Sequence, residues 1–88
     1  MKIRDVRPGF RPARKGFDCL IRFNLEPTQG IVVYDLSIQR SPDGRLFLYA
    51  PMREGSPTAN FAPEVRRQII ALAMDAHEDA ANDNRQYA

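Results

Sequence analysis

The sequence predicts an α+β fold: a small antiparallel β-sheet of about four strands with one C-terminal amphipathic helix. Three observations lead there. Up to Ala50 the apolar residues fall in short runs with period-two alternation. Those runs are separated by clusters of Gly, Pro, Asp and Ser, the residues that turn a chain. After Pro63 the apolar period changes to about 3.6, the period of a helix. With 88 residues the chain has room for one modest core, so residues 1–80 read as a single domain and 81–88 as a frayed C-terminal tail.

The opening "KIRDVR" is a short strand ended by Pro8 and Gly9, and "RPGFRPARKG" is too dense in Pro and Gly for a regular element. "FDCLIRFNL" follows as a strand, with Phe17, Cys19, Ile21 and Phe23 on one face and Asp18, Leu20, Arg22 and Asn24 on the other. "EPTQG" is the next turn. "IVVYDLSIQ" carries the strongest strand signal, with Val32, Tyr34, Leu36 and Ile38 on one face against Ile31, Val33, Asp35 and Ser37. In "SPDG", Pro42 supplies the fixed φ of a turn and Gly44 tolerates positive φ. "RLFLYA" is therefore expected to return antiparallel beside "IVVYDLSIQ". Phe47 and Tyr49 share one parity and Leu46 and Leu48 the other, so burying the leucines exposes at least one ring.

The last element, "PEVRRQIIALAMDAHED", repeats apolar residues at Val65, Ile69, Leu72 and Ala76, with Ala73 beside them. That stripe is expected to face the sheet. Pro63 suits the first helical turn, where its missing N–H is harmless, and Glu64 favours the positive end of the helix dipole. Asn60 would serve as a cap if the helix began ahead of the proline.

Composition excludes several classes. Cys19 is the only cysteine, which rules out an intrachain disulfide and a cysteine-cluster zinc site. Its strand neighbours suggest an inert core thiol. No apolar run approaches the length of a membrane span and "MKIRDVRPG" lacks the apolar centre of a secretion signal, so a cytoplasmic protein is expected. Gly9, Gly16, Gly30, Gly44 and Gly55 are isolated turn residues, not a phosphate loop. His77 is the sole histidine, and with Asp75, Glu78 and Asp79 it lies on one helix without ligands from elsewhere. Asp35 has no identifiable acid or base partner, and exposure or pairing with an arginine on the next strand accounts for it better than catalysis. The chain is expected not to be an enzyme and to need no cofactor or metal.

Charge is distributed unevenly. Lys2, Arg4, Arg7, Arg11, Arg14, Lys15 and Arg22 face only Asp5 and Asp18 in the first 22 residues, whereas the last 28 residues are net acidic. A basic front segment offers a surface for an anionic partner. The alternative is that these side chains only solvate a strand end and a loop.

The stretch "IVVYDLSIQRSPDGRLFLYAPMREGSPTANFAPEVRRQI" resembles the central and C-terminal part of the SpoVG family, bacterial regulators named for septation and sporulation. Ile3, Asp5, Val6 and Arg7 match its opening strand, and Asp35 matches the aspartate at the centre of its hydrophobic strand. Leu46 to Met52 stand for the family's "LFVAMP", Arg53 for its basic loop, Pro63 for the proline before the closing helix, and Arg66 or Arg67 for the basic residue early in that helix. The chain departs from the family's usual "MPSKR" in the swapped order of Pro51 and Met52, and in having only Arg53 before Glu54. The resemblance implies a homodimer that binds DNA and, in some members, RNA.

Physical reasoning reaches the same candidates separately. Pro51 ends ladder pairing and stiffens the exit from a strand, Gly55 permits a sharp return, and Arg53 stands between them. The candidate nucleic-acid-binding residues are Arg53, Arg66 and Arg67, with Arg7, Arg11, Arg14 and Lys15 from the front segment. A small core with two open sheet edges favours pairing with a second copy. The competing reading is a protein–protein interaction module that uses an exposed sheet edge or the Arg53 loop, with no nucleic-acid ligand.

Overall fold

The computed structural model describes residues 1–9 and 16–86, with the side chains of 81–86 left out. Four strands, β1 (Lys2–Pro8), β2 (Asp18–Thr28), β3 (Ile31–Arg40) and β4 (Leu46–Tyr49), form one antiparallel sheet in sequence order. A two-stranded arm, β5 (Met52–Arg53) and β6 (Ser56–Pro57), follows, and then one helix, α1 (Pro63–Gln86). This is the α+β fold expected from the change of period. The helix runs from Pro63 to Gln86, and no Gly or Pro follows Pro63.

The core lies between one sheet face and α1. Ile21, Phe23 and Leu25 from β2, Leu36 and Ile38 from β3, and Ile69 and Ala73 from the helix are each at most 1% exposed. Burying these groups supplies the main drive to fold. Leu46 and Leu48 pack against the cluster while Phe47 remains 38% exposed, as the parity of β4 required.

The helix stripe is rotated from the one expected. Leu72 is 38% exposed, and the face runs through Val65, Ile69, Ala73 and Ala76 and extends towards Ile70 and Met74. At about 100° per residue, Ala73 and Leu72 lie on opposite sides of Ile69. The small, fully buried Ala73 allows the helix to come close to the sheet, which leaves the larger Leu72 at the rim. His77 sits half-buried at the other boundary, in a recess with Val6, Arg7, Gly9 and Leu20.

Among the described residues, two of the four register shifts between paired strands carry positive-φ aspartates. Between Arg4 and Arg7, β1 holds one residue more than β2 opposite, and β3 does the same between Val33 and Leu36. These are β-bulges, and each contains an aspartate with positive φ, Asp5 at 52° and Asp35 at 61°. The second bulge breaks the face expected for β3. Leu36 and Ile38 are buried, but Tyr34 is 64% exposed and Val33 packs on the core instead. Tyr34 also lies beyond the end of β4, so Tyr49 pairs with Ser37 and not with Tyr34.

A third shift, between Cys19 and Ile21, separates Cys19 from the core cluster. Cys19 is buried, but it lies opposite Gln39, which pairs with Phe47. The ring of Phe17 likewise meets Phe47, at 6.2 Å between centroids. The expected sharing of one face by Phe17, Cys19, Ile21 and Phe23 thus ends at the bulge. Gly9 is fixed by close approach, since a Cβ there would fall 1.8 Å from the carbonyl oxygen of Cys19.

Candidate nucleic-acid interface

After Tyr49 the chain leaves the sheet. Pro51 has no N–H for a ladder, but its carbonyl accepts from the Thr58 N–H at 2.8 Å and closes the base of the arm. Met52 pairs with Pro57 and Arg53 with Ser56. The connecting Glu54 and Gly55 have φ of 53° and 81°, the two positive values that a type I′ hairpin turn requires. The segment expected to be a stiff loop is therefore a short hairpin, and Arg53 stands beside its tip. Every residue from Pro51 to Thr58 is exposed. Arg53 makes no ion pair with Glu54 or with any other described residue.

The path from the arm into α1 positions a second arginine. The Asn60 side-chain oxygen accepts from the Phe61 N–H at 3.0 Å and from Arg66 Nη2 at 3.3 Å. Asn60 thus orients Arg66 across the start of the helix and does not cap it; the helix begins at Pro63. Arg66 stands between two clefts. On one side it shares a recess of about 160 Å³ with Met52 and Pro57 of the arm. On the other it joins Arg67, Phe47 and Phe61 around an open cleft of about 530 Å³. Arg66 and Arg67 are exposed, and among the described residues no carboxylate lines either cleft. Free N–H groups in the first helical turn add to the positive potential there.

Arg7 has a different setting. Its Nε donates to the Asp5 carbonyl at 3.2 Å, Nη1 to Asp35 Oδ1 at 3.1 Å and Nη2 to Asn24 Oδ1 at 3.2 Å. Asn24, 7% exposed, also donates to Asp5 Oδ2 at 2.8 Å and accepts from the Asp35 N–H at 3.0 Å. The two bulges close on Asn24 from either side, and Arg7 ties them together. Sequence reasoning allowed Asp35 an arginine partner, but that partner comes from β1, across β2. Arg7 is therefore committed to the sheet, apart from the arm. Arg11, Arg14 and Lys15 lie outside the described residues.

The Asn24 network and the Phe47–Arg67 cleft escaped sequence reasoning. The only local signal for the former was Asp at both bulges, a residue that tolerates left-handed backbone. Among the described residues no group of three or more His, Cys, Asp and Glu could hold a metal ion, and no helix is long and apolar enough to cross a membrane. No family model, curated protein or solved structure matches the chain.

Proposed function

We propose that the protein is a non-enzymatic regulator that binds DNA or RNA as a homodimer, gripping the phosphate backbone with Arg53 and with Arg66 and Arg67. The observation that carries this reading is the placement of Arg53 on a braced hairpin and of two exposed arginines at the start of α1, with Arg66 and the base of the arm lining one recess. A braced arm loses less entropy on binding than a free loop. Arg66 is already oriented by Asn60. The resemblance to the SpoVG family, resting on the quoted residues, points the same way.

Dimerisation is supported by the sheet edge. β4 pairs with β3 only from Ser37 to Arg40, so the Ile31–Leu36 run of β3 has no strand on that side among the described residues. Ile31 and Tyr34 are exposed there, and Met52 is exposed on the nearby arm. A second copy added at this edge would satisfy backbone groups and double the arginine patch. The same exposed edge is what favours the second reading, a protein-interaction module that takes an extended strand.

Fluorescence anisotropy against unrelated DNA and RNA sequences, repeated at several salt concentrations, tests the binding. The proposal expects similar affinity across sequences and a steep fall with salt. Absence of binding at low salt would remove it in favour of the protein-interaction module. Sedimentation equilibrium at micromolar concentration should give a mass near twice the 10.0 kDa chain, and a monomer mass independent of concentration would contradict the dimer.

A further inference from the structure

We infer that the cleft bounded by Phe47, Phe61, Arg66 and Arg67 takes an unstacked base of a single-stranded nucleic acid, an inference that rests on the nucleic-acid reading above. The cleft's volume of about 530 Å³ falls within the range of small-ligand sites, roughly 300–1,000 Å³, and is ample for one nucleotide. Its walls supply the two chemistries a nucleotide presents. Phe47 is braced by the rings of Phe17 and Tyr49, at 6.2 and 6.4 Å between centroids, and keeps 38% of its surface exposed. An aromatic ring held in this way is a stacking platform for a base.

Arg66 and Arg67 line the same cleft, with Arg66 held by Asn60. They meet the phosphate that follows the stacked base. Among the described residues no carboxylate lines the cleft to repel it. In a duplex both faces of each base are covered by its neighbours, so only a single strand can offer a base to Phe47. The arm and helix arginines therefore bind either form of nucleic acid through phosphate, whereas the cleft adds affinity for single strands alone.

The chain has no tryptophan, so Phe47→Trp introduces a unique fluorophore at the platform. Short oligo-dU and oligo-U strands should quench its emission, the stronger of the two identifying the preferred sugar, and a duplex of equal length should not. By anisotropy, Phe47→Ala and Phe47→Leu should each weaken single-strand binding about 5- to 150-fold, the worth of one base–aromatic stack. Duplex affinity and the salt slope should stay unchanged, and Phe47→Tyr should bind like the wild type. Arg66→Ala with Arg67→Ala should instead flatten the salt slope, by about 0.7 per lost contact on a single strand.

Equal losses on single strand and duplex would overturn the inference, as would full affinity in Phe47→Leu or an oligo-glutamate that competes as well as the oligonucleotide. If the wild type binds duplex but shows no preference for single strands, the cleft proposal fails and the phosphate-binding reading stands. If it binds neither at low salt, both fall.

Discussion

Replacing Asn24 with Leu removes a polar side chain of similar size from between the two bulges and cuts three hydrogen bonds at once. One comes from the Asp35 N–H, at 3.0 Å, and this donor has no substitute partner in the network. Leaving such a part-buried amide unsatisfied costs about 1–3 kcal/mol. The other two join Asn24 to Asp5 Oδ2 and to Arg7 Nη2. Both partners are charged but reach solvent, so water replaces much of what they lose and together they add about 1 kcal/mol. The sum, about 2–4 kcal/mol, corresponds to a fall in Tm of about 10–30 °C for a domain of this size. Urea and thermal melts followed by circular dichroism measure it.

Asn24→Asp sharpens the test. It replaces the donor facing Asp5 with a second carboxylate oxygen, so at neutral pH two like charges meet at 2.8 Å. Their mutual repulsion raises the folded-state pKa of the pair, and the penalty is present above that raised value and lost as pH falls through it. The gap between Asn24→Asp and the wild type should therefore narrow towards about pH 4. An Asn24→Leu protein within about 0.5 kcal/mol of the wild type, the scatter of neutral surface changes, would refute the claim that this network fixes the bulges.

The helix face predicts that Ile69→Ala costs about 2–5 kcal/mol, whereas Leu72→Ala costs clearly less because Leu72 is 38% exposed; equal losses in urea melts would mean that the rotation is wrong. In the β3–β4 turn, the Ser41 hydroxyl and then the Arg45 N–H hold the Asp43 carboxyl below the usual carboxylate range. A depressed acid contributes stability above its unfolded pKa and loses it as pH falls through the folded value. Any stability advantage over Asp43→Asn should thus vanish in acid, and a side-chain NMR titration of Asp43 should show the lowered midpoint. An advantage that grew as pH fell would contradict the sign.

The elements of this fold were legible where one local signal dominated. Period-two runs bounded by Pro and Gly located β1 to β4, and Pro63 with the change of period located the start of α1. Face assignments failed at the bulges, because one inserted residue reverses inside and outside for everything beyond it. Tyr34 was misplaced for that reason, whereas Cys19 is buried as expected but lies outside the main core cluster. Leu72 was misplaced because pattern alone does not reveal that Ala73 makes the close contact with the sheet. At the candidate site, Pro51 and Gly55 announced a rigid turn around Arg53, but not the strand pairing of Met52 with Pro57. Arg7 read as part of a basic front segment for an anionic partner. Its role depends on Asn24 and Asp35, distant in sequence and joined to it only through the sheet register.

The most direct test of phosphate binding by the arm and helix is the salt dependence of binding by Arg53→Ala beside Arg66→Ala, against two duplexes of unrelated sequence. Each substitution should weaken binding nearly equally on both duplexes and flatten the plot of log affinity against log salt by about 0.9 per lost contact. Circular dichroism melts should leave Arg53→Ala as stable as the wild type, since Arg53 is exposed and unpaired among the described residues. Unchanged affinity together with unchanged slope in both variants would contradict the account and leave the arm as a corner of the chain.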